Sequence, residues 1–220
     1  MQPEAPAVAA APPIPAPAHH FRSWAVQQHA ERMGMWLFLA TEILLFAGLF
    51  VAYATYRFLF PQTFHAASKY LNVTLGTVNT LVLITSSLTV ALAVHFVVSN
   101  RSRFAGLLLL ASVALGATFL VIKGFEYAHK FQEGALPGHY YRLEGLTLPG
   151  SSLFFTLYFF VTGLHGLHVI IGMSVLTWVA ARALRGEFNA RHYIPVELGG
   201  LYWHLVDLVW IFLYPLLYLI

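Results

Sequence analysis

Glu42, His165, His168, His204 and Asp207 are ionisable side chains set inside long apolar runs. A carboxylate and an imidazole in such a place can share a proton, hold a metal ion or tie one helix to another by a buried hydrogen bond. Asp207 is the only aspartate of the chain and stands within the run from Leu201 to Leu213, LYWHLVDLVWIFL. An ionised carboxylate at the centre of a bilayer costs roughly 2.5–3.5 kcal/mol on insertion scales, so something has to meet it there. His204 and Asp207 lie three residues apart and share a helix face, as do His165 and His168. For His204 with Asp207, the plainer reading is a hydrogen-bonded pair holding two helices together. The sharper one is proton transfer.

For His165 with His168, metal ligation competes with helix packing or contact with lipid headgroups. Two histidines on one helix face do not clasp a haem from both sides, and no HExxH or carboxylate-rich pattern accompanies them. Packing is favoured. Glu42 reads either as a proton-handling group or as a polar anchor to another subunit, and the anchor is preferred. Lys123, Glu126, Tyr127 and Lys130 form a second polar cluster at a helix end. Glu126 and Lys130 have the favourable i,i+4 order, which predicts a solvated pair with lipid contact as the other use. No catalytic, cofactor-binding or metal-ligating residue is expected.

These residues must be carried by helices that cross a membrane. The chain has 220 residues, 59% of them hydrophobic and only 10% charged, whereas soluble domains carry about 25% charged residues. The reading is an all-α membrane protein, a bundle of five transmembrane helices. The spans run over about residues 33–56, 75–98, 104–127, 153–180 and 198–219, each near or above the roughly 20 residues a bilayer requires. Their connections are polar or contain proline. Gly163, Gly166, Gly172 and the pair Gly48 and Ala52 are sites of close helix approach. Asn79, Thr80, Ser86 and Ser87 are placed to bond across helices. Trp203 and Trp210, seven apart, project to one side of the fifth span. With the N-terminus inside and the C-terminus outside, the inner segments carry seven Lys and Arg and the outer ones five, the bias expected of that orientation.

Residues 1–28 read as a Pro/Ala-rich flexible tail and residues 29–220 as the membrane domain. Six of the eleven prolines and seven alanines fall within the first 20 residues, which favours an extended chain. No signal-peptide core follows a basic start, so no cleaved leader is expected. The absence of cysteine excludes iron–sulfur clusters, c-type haem attachment and thiolate copper sites. A net charge of +3 is too small and scattered for a nucleic-acid partner.

Four segments carry a resemblance: GMWLFLATE from Gly34 to Glu42, VIKGFEY from Val121 to Tyr127, TGLHGLHVIIG from Thr162 to Gly172, and YWHLVDLVW from Tyr202 to Trp210. In order and spacing they resemble subunit III of haem–copper terminal oxidases, over about residues 30–220. The resemblance implies a non-catalytic helical subunit packed against subunit I, which holds the haems and copper. Subunit II receives electrons from cytochrome c or quinol. Subunit III holds no redox centre; it supports proton uptake, protects the complex during turnover and holds phospholipid. Partners would be subunits I and II, membrane lipids and other respiratory complexes. Glu42 matches the family's membrane glutamate, and His165, His168, His204 and Asp207 match its core polar positions. Many members have seven helices, the first two splayed to form a lipid-filled cleft. This chain resembles the last five, a bacterial style that implies a bacterial plasma membrane.

Two alternatives stand beside this reading. One is the equivalent subunit of a quinol oxidase or a nitric-oxide reductase. The other is a stand-alone proton or solute carrier, which inverted repeats or broken mid-membrane helices would favour. Five spans do not divide into two equal halves, and Pro215 falls near a helix end.

Overall fold

The computed structural model describes residues 18, 19, 21–143 and 145–220. The proline-rich residues 1–17 lie outside the described residues, as do positions 20 and 144. Six helices follow: α1 (Trp24–Leu59), α2 (Pro61–Ser68), α3 (Val73–Val98), α4 (Ser102–Gln132), α5 (Ser151–Leu184) and α6 (Ile194–Tyr218). All but α2 are long and apolar enough to cross a membrane. The five expected spans lie within these helices, apart from one residue at Leu219. The tail is shorter than composition suggested. Ser23 caps α1, its side chain accepting from the Val26 N–H, so residues 24–28 are helical rather than extended.

Local chemistry explains where the helices begin and end. Asn72 caps α3 by accepting from the Leu75 N–H at 3.1 Å. Pro61 opens α2, where its missing N–H costs nothing. Asn100, Gly134 and Gly186 take positive φ just past α3, α4 and α5. Each turn closes with paired bonds to the helix end. After α4, for example, the Gly134 N–H donates to Phe131 O and the Ala135 N–H to Lys130 O. This arrangement satisfies carbonyls that the helix itself leaves open.

Helices α3, α4, α5 and α6 form a ring in which each packs against the next, and α6 closes on α3. The buried positions of α4 show why. Ala105, Leu109, Ser112, Gly116, Phe119, Lys123, Glu126 and Lys130 form one continuous stripe at alternating spacings of four and three, the seam by which helices interlock. Trp203 of α6 fills the centre of the ring. A Cβ on Gly116 would lie 2.7 Å from one atom of its indole, and a Cβ on Gly172 would lie 2.8 Å from another. Both glycines therefore make room for that ring. The expected small pair in α1 has no such use within the chain, since a Cβ on Gly48 meets nothing within 4 Å.

Helix α1 lies outside the ring, against α5 and α6. It buries only Leu39, Phe46 and Tyr53, seven residues apart. Arg32 continues this seam and is held bidentately by Glu197, with its Nη2 2.8 Å from Oε2. At the other end, the Tyr53 hydroxyl donates to the Leu216 carbonyl, one of the acceptors that α6 leaves open in its last turn. The remaining faces of α1 are bare and apolar, Leu44 and Phe58 among them at 72% and 85% exposed.

Candidate functional site: the polar groups within the bundle

Lys123 sits near one end of the ring. Its ammonium donates to Glu126 Oε2 at 2.9 Å, Tyr158 Oη at 3.0 Å and Tyr218 Oη at 2.8 Å, so all three of its N–H bonds are used. The Tyr218 hydroxyl in turn donates to Glu126 Oε1 at 2.6 Å. The rings of Tyr127, Tyr158, Trp210 and Tyr218 surround the cation at 4.9–5.5 Å, and their negative faces favour it further. Tyr127 also bonds Thr162 of α5 through its hydroxyl.

The solvated Glu126–Lys130 pair does not form. Both side chains belong to the buried stripe of α4 and are 3% exposed. Lys130 turns to Glu133 Oε2 at 2.6 Å and to the Tyr70 backbone carbonyl. The cluster is thus internal, with the charged ends of Lys123, Glu126 and Lys130 directed at protein rather than lipid. Sequence reading missed Tyr158 and Tyr218 as its members. The available signal was the continuation of an apolar seven-residue seam through three charged positions.

Glu42 and His168 meet across α1 and α5, with Glu42 Oε2 2.8 Å from His168 Nε2. His168 Nδ1 lies 2.8 Å from the Leu164 carbonyl. A carbonyl only accepts, so Nδ1 carries a proton and donates it. The Nε2–Oε2 contact then requires one further proton, on either the imidazole or the carboxyl. The pair is neutral overall in both forms, which suits its membrane position. Within the chain the pair ties α1 to α5, because α5 presents His168 to the same seam that carries Glu42. Glu42→Ala is expected to cost about 1–3 kcal/mol by leaving this nitrogen unmatched, and Glu42→Gln distinctly less. Amide exchange over the middle of α1 reads this out, and equal exchange in the two variants would refute it.

His165 and His168 diverge despite their spacing. His165 is fully buried, 5.3 Å from the Trp210 ring in a stacked arrangement and 5.5 Å from Phe119 edge-on. Neither of its ring nitrogens has a hydrogen-bond partner among the described residues. Among those residues, no three His, Cys, Asp or Glu side chains converge as a metal site would need.

His204 and Asp207 do not pair either. His204 Nδ1 turns across to Ser87 Oγ of α3 at 2.7 Å. Asp207 is 3% exposed, and among the described residues neither carboxylate oxygen has a partner in full hydrogen-bond geometry, the Ser87 hydroxyl being its polar neighbour. A shared face sets direction, but a nearer hydroxyl on the neighbouring helix took the imidazole. The other hydroxyls that the sequence singled out on α3 serve α6 in the same way: Trp203 Nε1 donates to Ser86 Oγ and Trp210 Nε1 to Thr80 Oγ1, each at 3.0 Å. Asn79 reaches the Phe119 carbonyl of α4 at 3.5 Å.

Five crossing helices, with polar groups that mostly tie helix to helix, define a multi-pass membrane protein. Residues 18–220 match the family model for cytochrome c oxidase subunit III. The chain is 33% identical over 189 residues to cytochrome c oxidase subunit 3 of Synechocystis sp., covering 85% of this chain and 74% of that protein. It is 32% identical over 199 residues to the subunit of the same name from Pongo abelii, covering 87% and 70%, and 31% identical over 199 residues to that of Homo sapiens, with the same coverage. The chain belongs to the cytochrome c oxidase subunit III family. That family places it in an oxidase complex of the respiratory chain.

Proposed function

We propose that this chain is an accessory subunit of a haem–copper terminal oxidase in a bacterial plasma membrane, packed against subunit I with subunit II in the same complex. Its N-terminus faces the cytoplasm. It holds neither haem nor copper; it stabilises the assembly and supports proton uptake by its partners. The observation that carries this reading is how the intramembrane charges are closed off. Lys123 with Glu126, and Glu42 with His168, are matched within the chain, which favours a structural subunit over a carrier with charges exposed along a path. The apolar groove of about 500 Å³ between α1, α5 and α6, lined by Phe38, Trp178 and Tyr202, supports a bound phospholipid acyl chain.

The test is purification of the tagged chain from its own membranes in mild detergent. The expected result is copurification of haem-bearing subunits, seen as a reduced-minus-oxidised haem spectrum together with oxygen consumption. A chain that emerges alone, or that conducts protons by itself in liposomes, would overturn the proposal.

A further inference from the structure

The end of the bundle at which α3 passes to α4 and α5 to α6 carries an open cavity of about 860 Å³. Arg101, Arg103 and Arg191 line it, and no acidic residue does. Elsewhere in the chain Arg32, Lys123, Lys130 and Arg182 each hold a glutamate. Among the described residues the three cavity guanidinium groups hold none, and all three side chains are exposed. The carboxylate of the same loop, Glu187, is already engaged by Arg182 Nε at 2.7 Å. Three like charges lining one cavity repel each other, and an anion among them relieves that repulsion.

The backbone beneath these arginines is fastened. Asn100 Oδ1 accepts from the Ala190 N–H at 3.0 Å, and Ser102 Oγ donates to the Ala183 carbonyl at 2.8 Å. The α3–α4 turn is thereby tied to the end of α5 and to the loop that follows it. Within that loop Asn189 Oδ1 accepts from the N–H groups of Arg191 and His192 at 2.9 and 3.0 Å. The charges are gathered by the fold itself, so an arriving ligand does not bear the cost of collecting them.

The surroundings identify the anion. A guanidinium group matches the oxygens of a phosphate with two parallel N–H bonds. The cavity lies at the ends of four membrane-crossing helices, the level at which lipid headgroups sit. Phe104 lines the same cavity and is 48% exposed, and Leu107, one turn further along α4, is 56% exposed. Apolar surface thus continues from the cavity along the exposed side of α4. A free phosphate would use only the arginines, whereas a phospholipid uses both features. We infer that Arg101, Arg103 and Arg191 hold the phosphate of an acidic phospholipid whose acyl chain lies over Phe104 and Leu107. This site is separate from the groove lined by Phe38, Trp178 and Tyr202. It rests on the crossing helices and not on the oxidase reading.

The test takes the protein as purified from its membranes in mild detergent, with the subunits that accompany it. It is placed in phosphatidylcholine nanodiscs that hold a minor share of phosphatidylglycerol with a photoreactive diazirine in its acyl chain. The expected result is lipid adducts on Phe104 or Leu107, mapped by peptide mass spectrometry. Arg101→Gln, Arg103→Gln and Arg191→Gln should each lower their yield roughly fivefold. Arg191→Lys should lower it less, since the charge remains but the fork is lost. Arg142→Gln, in the loop at the opposite end of the bundle, should leave it unchanged. Helix content should be the same in all variants, because the replaced side chains are exposed and unpaired. An equal yield from photoreactive phosphatidylcholine, or a yield that none of the three Gln variants alters, would overturn the inference. So would loss of the adducts on adding inorganic phosphate, which would assign the cavity to a soluble anion. No adduct at either position would assign this face to a partner protein and overturn it as well. If no haem-bearing subunit accompanies the chain, the oxidase reading fails, yet charge-dependent adducts would still uphold the lipid site.

Discussion

Lys123→Ala is expected to lower the stability of the bundle by about 3–5 kcal/mol, the cost of breaking a buried ion pair from one side. The loss exceeds that of the lysine's own bonds. Glu126 would remain buried with the Tyr218 hydroxyl as its one remaining donor, and Tyr158 would lose its contact with the ammonium. Unfolding in a graded detergent mixture measures the change, and accumulation in membranes reports it in cells. The double variant Lys123→Met with Glu126→Leu should recover most of the loss, because replacing a whole buried pair with apolar groups is often neutral or stabilising. A single variant within 0.5 kcal/mol of the unmodified protein, or a double variant no better than the single, would show that the cluster does not act as a unit.

Trp203→Ala should cost a similar amount, about 3–5 kcal/mol, through the cavity left by a fully buried indole. It would also remove the bond to Ser86. The tight seat makes a more discriminating claim. Gly172→Ala pushes a methyl group into the indole and should cost about 1–3 kcal/mol by overpacking. In a Trp203→Phe background the same change should cost much less, since the smaller ring vacates the contested space. A double-mutant cycle measures this coupling, which is appreciable only between residues in contact. Strict additivity would mean that Gly172 is small for another reason.

The family segments sit where these effects are largest. TGLHGLHVIIG contains His165, His168 and the Gly172 that admits Trp203. VIKGFEY contains Lys123 and Glu126. YWHLVDLVW contributes Trp203, Asp207 and the Trp210 ring beside the cation. Residues that looked like candidates for chemistry serve mainly to fix the positions of four helices. The ties of α1 are fewer, at Arg32, Glu42 and Tyr53. This helix is therefore the element of the fold most dependent on its surroundings, whether lipid or protein.

Sequence alone determined the number of crossing helices and the apolar middle of each, because apolar length is a local property; their ends it placed less well, since α1 starts at Trp24 rather than near residue 33 and α4 runs on to Gln132 rather than stopping near residue 127. It also marked which polar residues lie within the membrane, since each interrupts an apolar run. Tertiary structure decided who meets whom. Glu126 chose Lys123 and Tyr218 over Lys130, His204 chose Ser87 over Asp207, and Glu42 found His168 in its own chain. Helical spacing fixes only the direction in which a side chain leaves its helix. Its partner depends on which neighbour the ring brings within about 3 Å, and that follows from glycines and indoles interlocking across helices far apart in sequence.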